Sequence, residues 1–124
     1  MKKILLIDDD EVFIKTVHAT LVSAGYDVTN AKDGKEGLEK VEKDKPDLIL
    51  LDLMMPNLGG MDFLKVLQKD DKANKIPVLV SSNFTSINRV NEGLEFGVRG
   101  YIVKSNESLK TITNAVESII GKAN

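Results

Sequence analysis

The chain of 124 residues contains no cysteine and only one histidine. The absence of cysteine excludes disulfide bonds and thiolate metal sites, and it permits a reducing compartment without requiring one. The N-terminal sequence MKKILLIDDD places four apolar residues between two lysines and three acids, which is too short for a signal peptide or a membrane span. We therefore expect a soluble, cytoplasmic protein that has no membrane partner.

The charges are nearly balanced, with a net charge of −2, so the basic surface of a nucleic-acid-binding protein is not expected. Hydrophobic residues make up 42% and charged residues 29% of the chain, as in ordinary globular domains. The length suits one domain with its own core, and no repeat, low-complexity tract or linker divides the sequence. These features predict a single domain over residues 1–124.

Short apolar runs alternate with longer amphipathic stretches along the chain. The continuous runs are Ile4–Ile7, Leu48–Leu51, Val78–Val80 and Tyr101–Val103. Runs of this length are typical of strands that are buried on both faces of a parallel sheet. Tyr26–Ala31 instead alternates between apolar and polar residues, which is typical of an edge strand.

Apolar residues at helical spacing fill the gaps between these runs. The five stripes are Phe13, Val17, Leu21 and Ala24, ended by Gly25; Leu38 and Val41; Leu64 and Leu67; Ile87, Val90 and Leu94; and Leu109, Ile112, Val116 and Ile119. Alternating strands and helices predict an α/β fold, with a parallel sheet, right-handed crossovers and helices on both faces.

Polar side chains follow four of the predicted strands at the point where each strand ends. In chain order they are Asp8, Asp9 and Asp10; Asp52; Ser81, Ser82 and Asn83; and Lys104 and Ser105. The functional crevice of such a sheet lies beyond the carboxyl ends of its strands. If these strands are neighbours, the carboxylates, a hydroxyl and an ammonium group converge there.

Converging carboxylates raise one another's pKa, and a nearby cation relieves their repulsion. Oxygen ligands without histidine or cysteine favour a hard divalent ion such as Mg²⁺, which tends to share a phosphate oxygen. Such a site can hold a phosphoryl group beside a carboxylate, and an aspartate can then act as the nucleophile. Lys104 would neutralise charge on the phosphoryl group, and the Ser82 hydroxyl would donate a hydrogen bond to it.

Simpler interpretations stay open for each residue taken alone. Asp10 can cap the first helix, Asp52 can be a solvated loop residue, and Lys104 can be a surface lysine. We assign His18 a structural role, and we expect Val12 to be partly buried beside the acidic cluster. The joint placement at four strand ends nevertheless favours a functional site.

Five segments resemble the receiver domain of bacterial two-component response regulators, of the stand-alone chemotaxis-regulator type. They are ILLIDDDE, GYDVTNAKDGKEGLE, PDLILLDLMMPNLGGMDFL, IPVLVSSN and FGVRGYIVKS, and they follow the family's order and spacing. Ser82 lies 30 positions after Asp52, and Lys104 lies 22 positions after Ser82. The resemblance covers essentially the whole chain, and its most specific part is Asp52 with the following Met55-Pro56.

The resemblance implies a flavodoxin-like, doubly wound sheet of five parallel strands in the order 2-1-3-4-5, with five helices. It makes Asp52 the phosphoacceptor and Lys104 the phosphate-binding lysine. It makes Ser82 and Tyr101 the residues that move when the domain switches. The Mg²⁺ ligands that it implies are Asp9, Asp52, the backbone carbonyl of Met54 and, through water, Asp8.

The implied function is that of a signalling switch, and the only chemistry implied is the domain's own phosphorylation and dephosphorylation, so no other enzyme activity is expected. The donor would be a phosphohistidine on a histidine kinase or on a histidine phosphotransfer protein. Phosphorylation would change the face formed by the fourth helix, the fifth strand and the fifth helix, which an unspecified output protein reads. We expect no direct contact with nucleic acid, and a monomer or a weak phosphorylation-dependent dimer. The chain is either a stand-alone receiver or a part of a larger regulator.

The chain departs from the family pattern after Lys104, where Ser105 replaces the usual proline. A cis bond before a residue other than proline costs about 3–4 kcal/mol, so we expect a trans peptide there. Asn83 replaces a small residue and narrows access to the phosphoryl group. Met54 and Phe84 cannot orient a water molecule, which predicts a long-lived phosphorylated state.

Three other functions fit parts of the pattern. A Mg²⁺-dependent phosphatase of the haloacid dehalogenase type needs an acid two positions after Asp52, where Met54 stands. A pseudo-receiver that serves only as an interaction module would not need the complete set of site residues. A flavin-binding protein of the same topology would need a phosphate-cradling loop after the first strand, and none is found there.

Overall fold

The computed structural model describes residues 1–53, 55, 57–82, 98–104 and 108–123. Five parallel strands form one sheet in the order β2-β1-β3-β4-β5. The strands are β1 (Lys3–Ile7), β2 (Asp27–Ala31), β3 (Leu48–Leu51), β4 (Val78–Ser82) and β5 (Val98–Val103). The flavodoxin-like strand order 2-1-3-4-5 is therefore confirmed.

Four α-helices and one short 3₁₀ helix occur in this part of the chain. They are α1 (Glu11–Ser23), α2 (Gly34–Asp44), α3 (Gly60–Gln68) and α4 (Leu109–Ile120), with the 3₁₀ helix at Ala73–Lys75. The helix predicted around Ile87, Val90 and Leu94 falls outside the described residues, and the other four predicted helices are confirmed. None of the helices described is both long and apolar enough to span a bilayer.

The apolar runs of the central strands fill two cores, one on each face of the sheet. The core that faces α2 and α3 includes Leu5, Ile7, Ile49, Leu51, Phe63, Leu64 and Leu67. The core that faces α1 and α4 includes Ile4, Leu6, Leu48, Leu50, Val17, Leu21, Ile112 and Val116. Because successive residues of a strand point to opposite faces, one continuous apolar run supplies both cores. This explains why β1 and β3 contain no polar residue between their first and last buried positions.

Asp10 begins α1 as its N-cap. Its carboxylate accepts hydrogen bonds from the backbone N–H groups of Val12 and Phe13, both at 3.1 Å. The sequence offered this role as the simpler interpretation of Asp10, and the structure confirms it. Gly25 follows the other end of the helix with a φ of 99°, a conformation that glycine adopts without steric cost. The third acid after β1 is therefore engaged by the helix, and the first two are left for the crevice.

β5 begins three residues before the apolar run Tyr101–Val103 that predicts it. Its pairing with β4 shifts register just before Leu79. A Cβ on Gly100 would lie 2.9 Å from the Leu79 Cδ1, so glycine leaves room there for the Leu79 side chain. The exposed Arg99 and this glycine interrupt the apolar pattern, and the true start of the strand is hidden as a result.

The start of α3 packs directly on the backbone that follows β3. A Cβ on Gly60 would lie 2.5 Å from both the Asp52 carbonyl oxygen and the Leu53 Cα. A Cβ on Gly59, the N-cap of α3, would have its nearest contact at 3.8 Å. Close packing therefore requires glycine at position 60 and not at position 59.

We expect Gly60→Ala to lower the free energy of unfolding by about 2 kcal/mol or more, because the backbone atoms it meets cannot rotate away. Gly59→Ala is the matched control. It should change stability by less than about 1 kcal/mol, because a less flexible unfolded chain offsets the poorer cap. Urea unfolding followed by circular dichroism measures both values. Equal losses in the two variants would contradict this account of the packing.

Candidate functional site

The carboxyl ends of β1 and β3 bring three carboxylates together. The two strands pair with Ile7 opposite Leu51, so that Asp8 follows one strand beside Asp52 at the end of the other. One oxygen each of Asp8, Asp9 and Asp52 lie within 4.8 Å of one another. Asp8 and Asp52 are 2% and 6% exposed, whereas Asp9 is exposed. The predicted convergence of these three residues is present.

Lys104 reaches into the same crevice from the end of β5 and pairs with Asp8. Its Nζ donates hydrogen bonds to the two carboxylate oxygens of Asp8 at 3.1 and 2.9 Å. The side chains of Lys104 and Asp8 are only 9% and 4% exposed. The backbone N–H of Asp10 donates a further hydrogen bond to Asp8 at 2.9 Å. The sequence places Lys104 in the crevice, but it does not predict that Asp8 is its partner.

Burial raises the pKa of Asp8 above that of an ordinary aspartate, and this is the largest effect on the group. The hydrogen bonds from Lys104 and from the Asp10 N–H lower the pKa part of the way back, and the charge of Asp9 raises it. The net rise means that one lysine does not fully compensate the buried charge. A divalent cation among the three carboxylates would act in the same direction as Lys104.

An aromatic ring faces the same ammonium group. The Nζ of Lys104 lies 4.3 Å from the centroid of the Phe13 ring, within the range of a cation–π interaction. Phe13 also packs at the edge of the core that faces α1 and α4. The sequence assigns it only to the apolar stripe of α1. Its place in the first turn after an acidic strand end is the one signal that pointed toward the crevice.

A third buried aspartate, Asp33, connects the loop after β3 to α2. Asp33 is the N-cap of α2 and accepts hydrogen bonds from the Glu36 N–H at 2.8 Å and from the Asn57 side-chain amide at 2.9 Å. The Gly34 N–H donates to the Leu58 carbonyl at 3.0 Å. The two bonds to Asp33 lower its pKa, the one from the backbone most strongly. The sequence pattern does not predict that Asp33 and Asn57 are in contact.

The family model described as "Response regulator receiver domain" matches residues 4–117. The chain belongs to this family. The receiver domain is 32% identical to the chemotaxis protein CheY4 of Vibrio cholerae, whose solved structure aligns with a TM-score of 0.89. That alignment covers 96% of this chain and 98% of the other. The resemblance to two-component receivers is thus confirmed.

Two longer relatives are regulators of transcription by name. The receiver domain is 40% identical to the alkaline phosphatase synthesis transcriptional regulatory protein PhoP of Bacillus subtilis, over 83% of this chain and 42% of that protein. It is 38% identical to the DNA-binding dual master transcriptional regulator RpaA of Synechocystis, over 84% and 43%. The chain therefore spans less than half the length of these curated relatives.

Several residues that the family resemblance assigns to the site lie partly or wholly outside the described part of the receiver domain. Ser82 is described as the last backbone position of β4, but its side chain is not. Met54, Asn83, Phe84 and Ser105 also lie outside the described residues. The metal-binding carbonyl, the switch hydroxyl and the trans peptide after Lys104 therefore stay predictions.

The remaining assigned residues are placed. Tyr101 lies half-buried on β5, against the core that faces α2 and α3. The Nδ1 of His18 is 2.9 Å from the Asn30 Oδ1, a contact between α1 and β2. The expected partial burial of Val12 is wrong. Its side chain is 75% exposed, because it lies on the solvent side of the first turn of α1.

We expect Asp33→Ala to lower the free energy of unfolding by about 1 kcal/mol at neutral pH, because α2 loses its N-cap. The folded-state pKa of Asp33 is depressed, so its stabilisation is complete above the unfolded pKa of about 3.9 and is lost as the pH falls through the folded value. The difference in the free energy of unfolding between the unsubstituted protein and Asp33→Ala should therefore narrow below about pH 4. Urea unfolding at a series of pH values measures it.

Asp33→Asn is the control, because asparagine keeps a cap acceptor without the charge. It should recover most of the loss at neutral pH. A difference between the unsubstituted protein and Asp33→Ala that stays constant down to about pH 3 would contradict the role given to this carboxylate.

Proposed function

We propose that the receiver domain is a phosphorylation switch in which Asp52 accepts a phosphoryl group from a phosphohistidine of a histidine kinase or phosphotransfer protein. The observation that supports this most is the meeting of three carboxylates and one lysine at the carboxyl edge of the sheet. Three ionised carboxylates in one crevice repel one another and destabilise the folded protein unless cations enter the crevice. A crevice that needs added positive charge suits phosphoryl transfer, because the transferred phosphoryl group is negatively charged.

Asp52 is the best placed of the three carboxylates to act as the nucleophile. Asp9 is exposed, whereas Asp52 is only 6% exposed and stands where the family resemblance assigns the phosphoacceptor. Asp52 follows the central strand, and its backbone N–H donates to the Ile7 carbonyl at 2.9 Å. In the proposed step a carboxylate oxygen of Asp52 forms a bond to phosphorus. The phosphorus–nitrogen bond breaks, and the imidazole leaves with its electron pair and takes up a proton.

The donor set at this edge fits Mg²⁺. We assign Asp9, Asp52 and the Met54 carbonyl as direct ligands and Asp8 as a ligand through water. All of these groups are oxygen donors, and the three carboxylates come within 4.8 Å of one another. When bound, the ion would neutralise charge on the phosphoryl oxygens.

Lys104 would provide the mobile positive charge of the site. In the present structure its ammonium lies on Asp8, at 2.9 Å from the nearer oxygen. A phosphoryl group on Asp52 would offer new acceptors next to this position, and Lys104 would exchange an Asp8 oxygen for a phosphoryl oxygen. The exchange would couple the phosphorylation of Asp52, which follows β3, to the end of β5.

Ser82 and Tyr101 are proposed to carry the change to the output surface. The Ser82 hydroxyl would donate to the phosphoryl group, and the Tyr101 ring would rotate inward behind it. Tyr101 lies opposite Val80 in the pairing of β4 with β5. A movement at the end of β4 would therefore be transmitted to Tyr101. The face formed by the predicted fourth helix, β5 and α4 would then be read by an output protein.

We further propose that residues 1–124 act as one receiver domain in the cytoplasm and have no enzyme activity beyond their own phosphorylation and dephosphorylation. The relatives include a chemotaxis protein of similar length and two longer regulators of transcription. The proposed switch is therefore compatible with control of an output segment on the same chain and with control of a separate partner protein. The expected assembly is a monomer or a weak dimer that depends on phosphorylation.

Incubation with Mg²⁺ and a small-molecule acyl phosphate tests the assignment of Asp52. We expect mass spectrometry to show the gain of one phosphoryl group, which hydroxylamine removes because the linkage is an acyl phosphate. Asp52→Asn should abolish the gain. Asp62→Asn, which changes an exposed aspartate on α3, should leave it intact. Equal modification of the unsubstituted protein and Asp52→Asn would rule out Asp52 as the acceptor.

Metal binding can be tested separately from phosphorylation. We expect Asp9→Asn to weaken Mg²⁺ binding about tenfold or more, because a charged ligand is lost. Isothermal titration calorimetry measures the affinity. Asp71→Asn, which removes an exposed aspartate elsewhere, should bind Mg²⁺ as tightly as the unsubstituted protein does. Equal affinities in Asp9→Asn and the control would exclude Asp9 as a ligand.

A further inference from the structure

The Lys104 ammonium group is unusually enclosed for a lysine. Its side chain is 9% exposed, and the two Asp8 oxygens accept hydrogen bonds from it at 3.1 and 2.9 Å. An ammonium group has three N–H donors, so a carboxylate that engages two leaves one to be satisfied. The same nitrogen lies over the Phe13 ring, 4.3 Å from its centroid.

The electron-rich face of an aromatic ring can take the place of water beside a cation. An aliphatic side chain of similar size would fill the same space but would offer no attraction to the charge. Phe13 packs at the edge of the core that faces α1 and α4, so its ordinary explanation is as a core residue. That explanation accounts for an apolar side chain at position 13 and does not account for its ring lying against the ammonium.

Both groups that hold Lys104 are mounted on rigid elements. Asp8 follows β1 directly, and Phe13 lies in the first turn of α1, where its N–H donates to the Asp10 cap at 3.1 Å. The lysine stem is long and flexible, so its charged end is localised only by what it contacts. The ring can remain on the ammonium while Lys104 exchanges an Asp8 oxygen for another acceptor.

We propose that Phe13 is a positioning residue of the phosphorylation site, whose ring holds the Lys104 ammonium where it can meet a phosphoryl group on Asp52. The proposal rests on the phosphoacceptor function proposed above. It deepens that function by assigning a role to a residue that touches neither the phosphoryl group nor a metal. A localised lysine spares the reaction the loss of side-chain freedom when the phosphoryl group arrives.

Graded fluorination of Phe13 separates the charge of the ring face from its bulk. The full chain is made with 4-fluoro-, 3,4,5-trifluoro- and pentafluorophenylalanine at position 13, which withdraw increasing electron density from the face at nearly constant size. We measure the rate constant of phosphorylation by an acyl phosphate at saturating Mg²⁺. The rate should fall stepwise with fluorination, by about 3- to 10-fold at the end of the series. Phe13→Tyr, which keeps an electron-rich ring, should retain most of the rate.

The contact itself has a readout that does not depend on phosphorylation. In the NMR spectrum the ε-methylene protons of Lys104 should be shifted upfield by the ring current, and Phe13→Leu should abolish the shift. The same fluorinated residues at Phe63, which is buried in the other core, are the control. They should leave both the phosphorylation rate and the Lys104 signals unchanged, even where they alter stability.

The outcomes distinguish the two proposals. If the unsubstituted protein is not phosphorylated at all, the proposed function fails, whatever the NMR series shows. If it is phosphorylated and the rate is flat or rises across the Phe13 series, the positioning role is overturned. A fall of equal size in the Phe63 series would also overturn it, because the effect would then reflect packing and not the face of the ring.

Discussion

The burial of negative charge at the carboxyl edge of the sheet is the constraint on which the other features of the crevice depend. Asp8 and Asp52 directly follow strands whose side chains fill two cores, and both carboxylates are buried there. Lys104 crosses from β5 to compensate part of this charge. The pKa of Asp8 stays raised in spite of that pairing, so the edge of the sheet retains a demand for positive charge.

The same demand links local structure to chemistry. A protein that needed only a stable core would gain nothing from carboxylates beside one another, because their repulsion opposes folding. A bound cation would relieve this repulsion, as the proposed function requires. The membership of the chain in the receiver family and the geometry of Asp8, Asp9 and Asp52 both support a cation-binding site at this edge.

The convergence of these residues could be predicted from the sequence because it follows from two regular rules. Continuous apolar runs indicate buried parallel strands, and the ends of such strands share one edge of the sheet. The partner of Lys104 could not be predicted in this way. Three carboxylates compete for one flexible side chain, and the choice of Asp8 depends on directions that only the folded backbone sets. The ring of Phe13 was hidden for a related reason, since its helical spacing already explained it.

Asp10 takes part in two structures at once. Its backbone N–H donates to Asp8 in the crevice, and its carboxylate caps the helix turn that carries Phe13. The start of α1 and the floor of the crevice therefore form one mechanical unit. A small tilt of the helix would displace a donor to Asp8 and the ring beside Lys104 together. The orientation of α1 therefore sets the positions of two groups of the crevice, one from its backbone cap and one from its first turn.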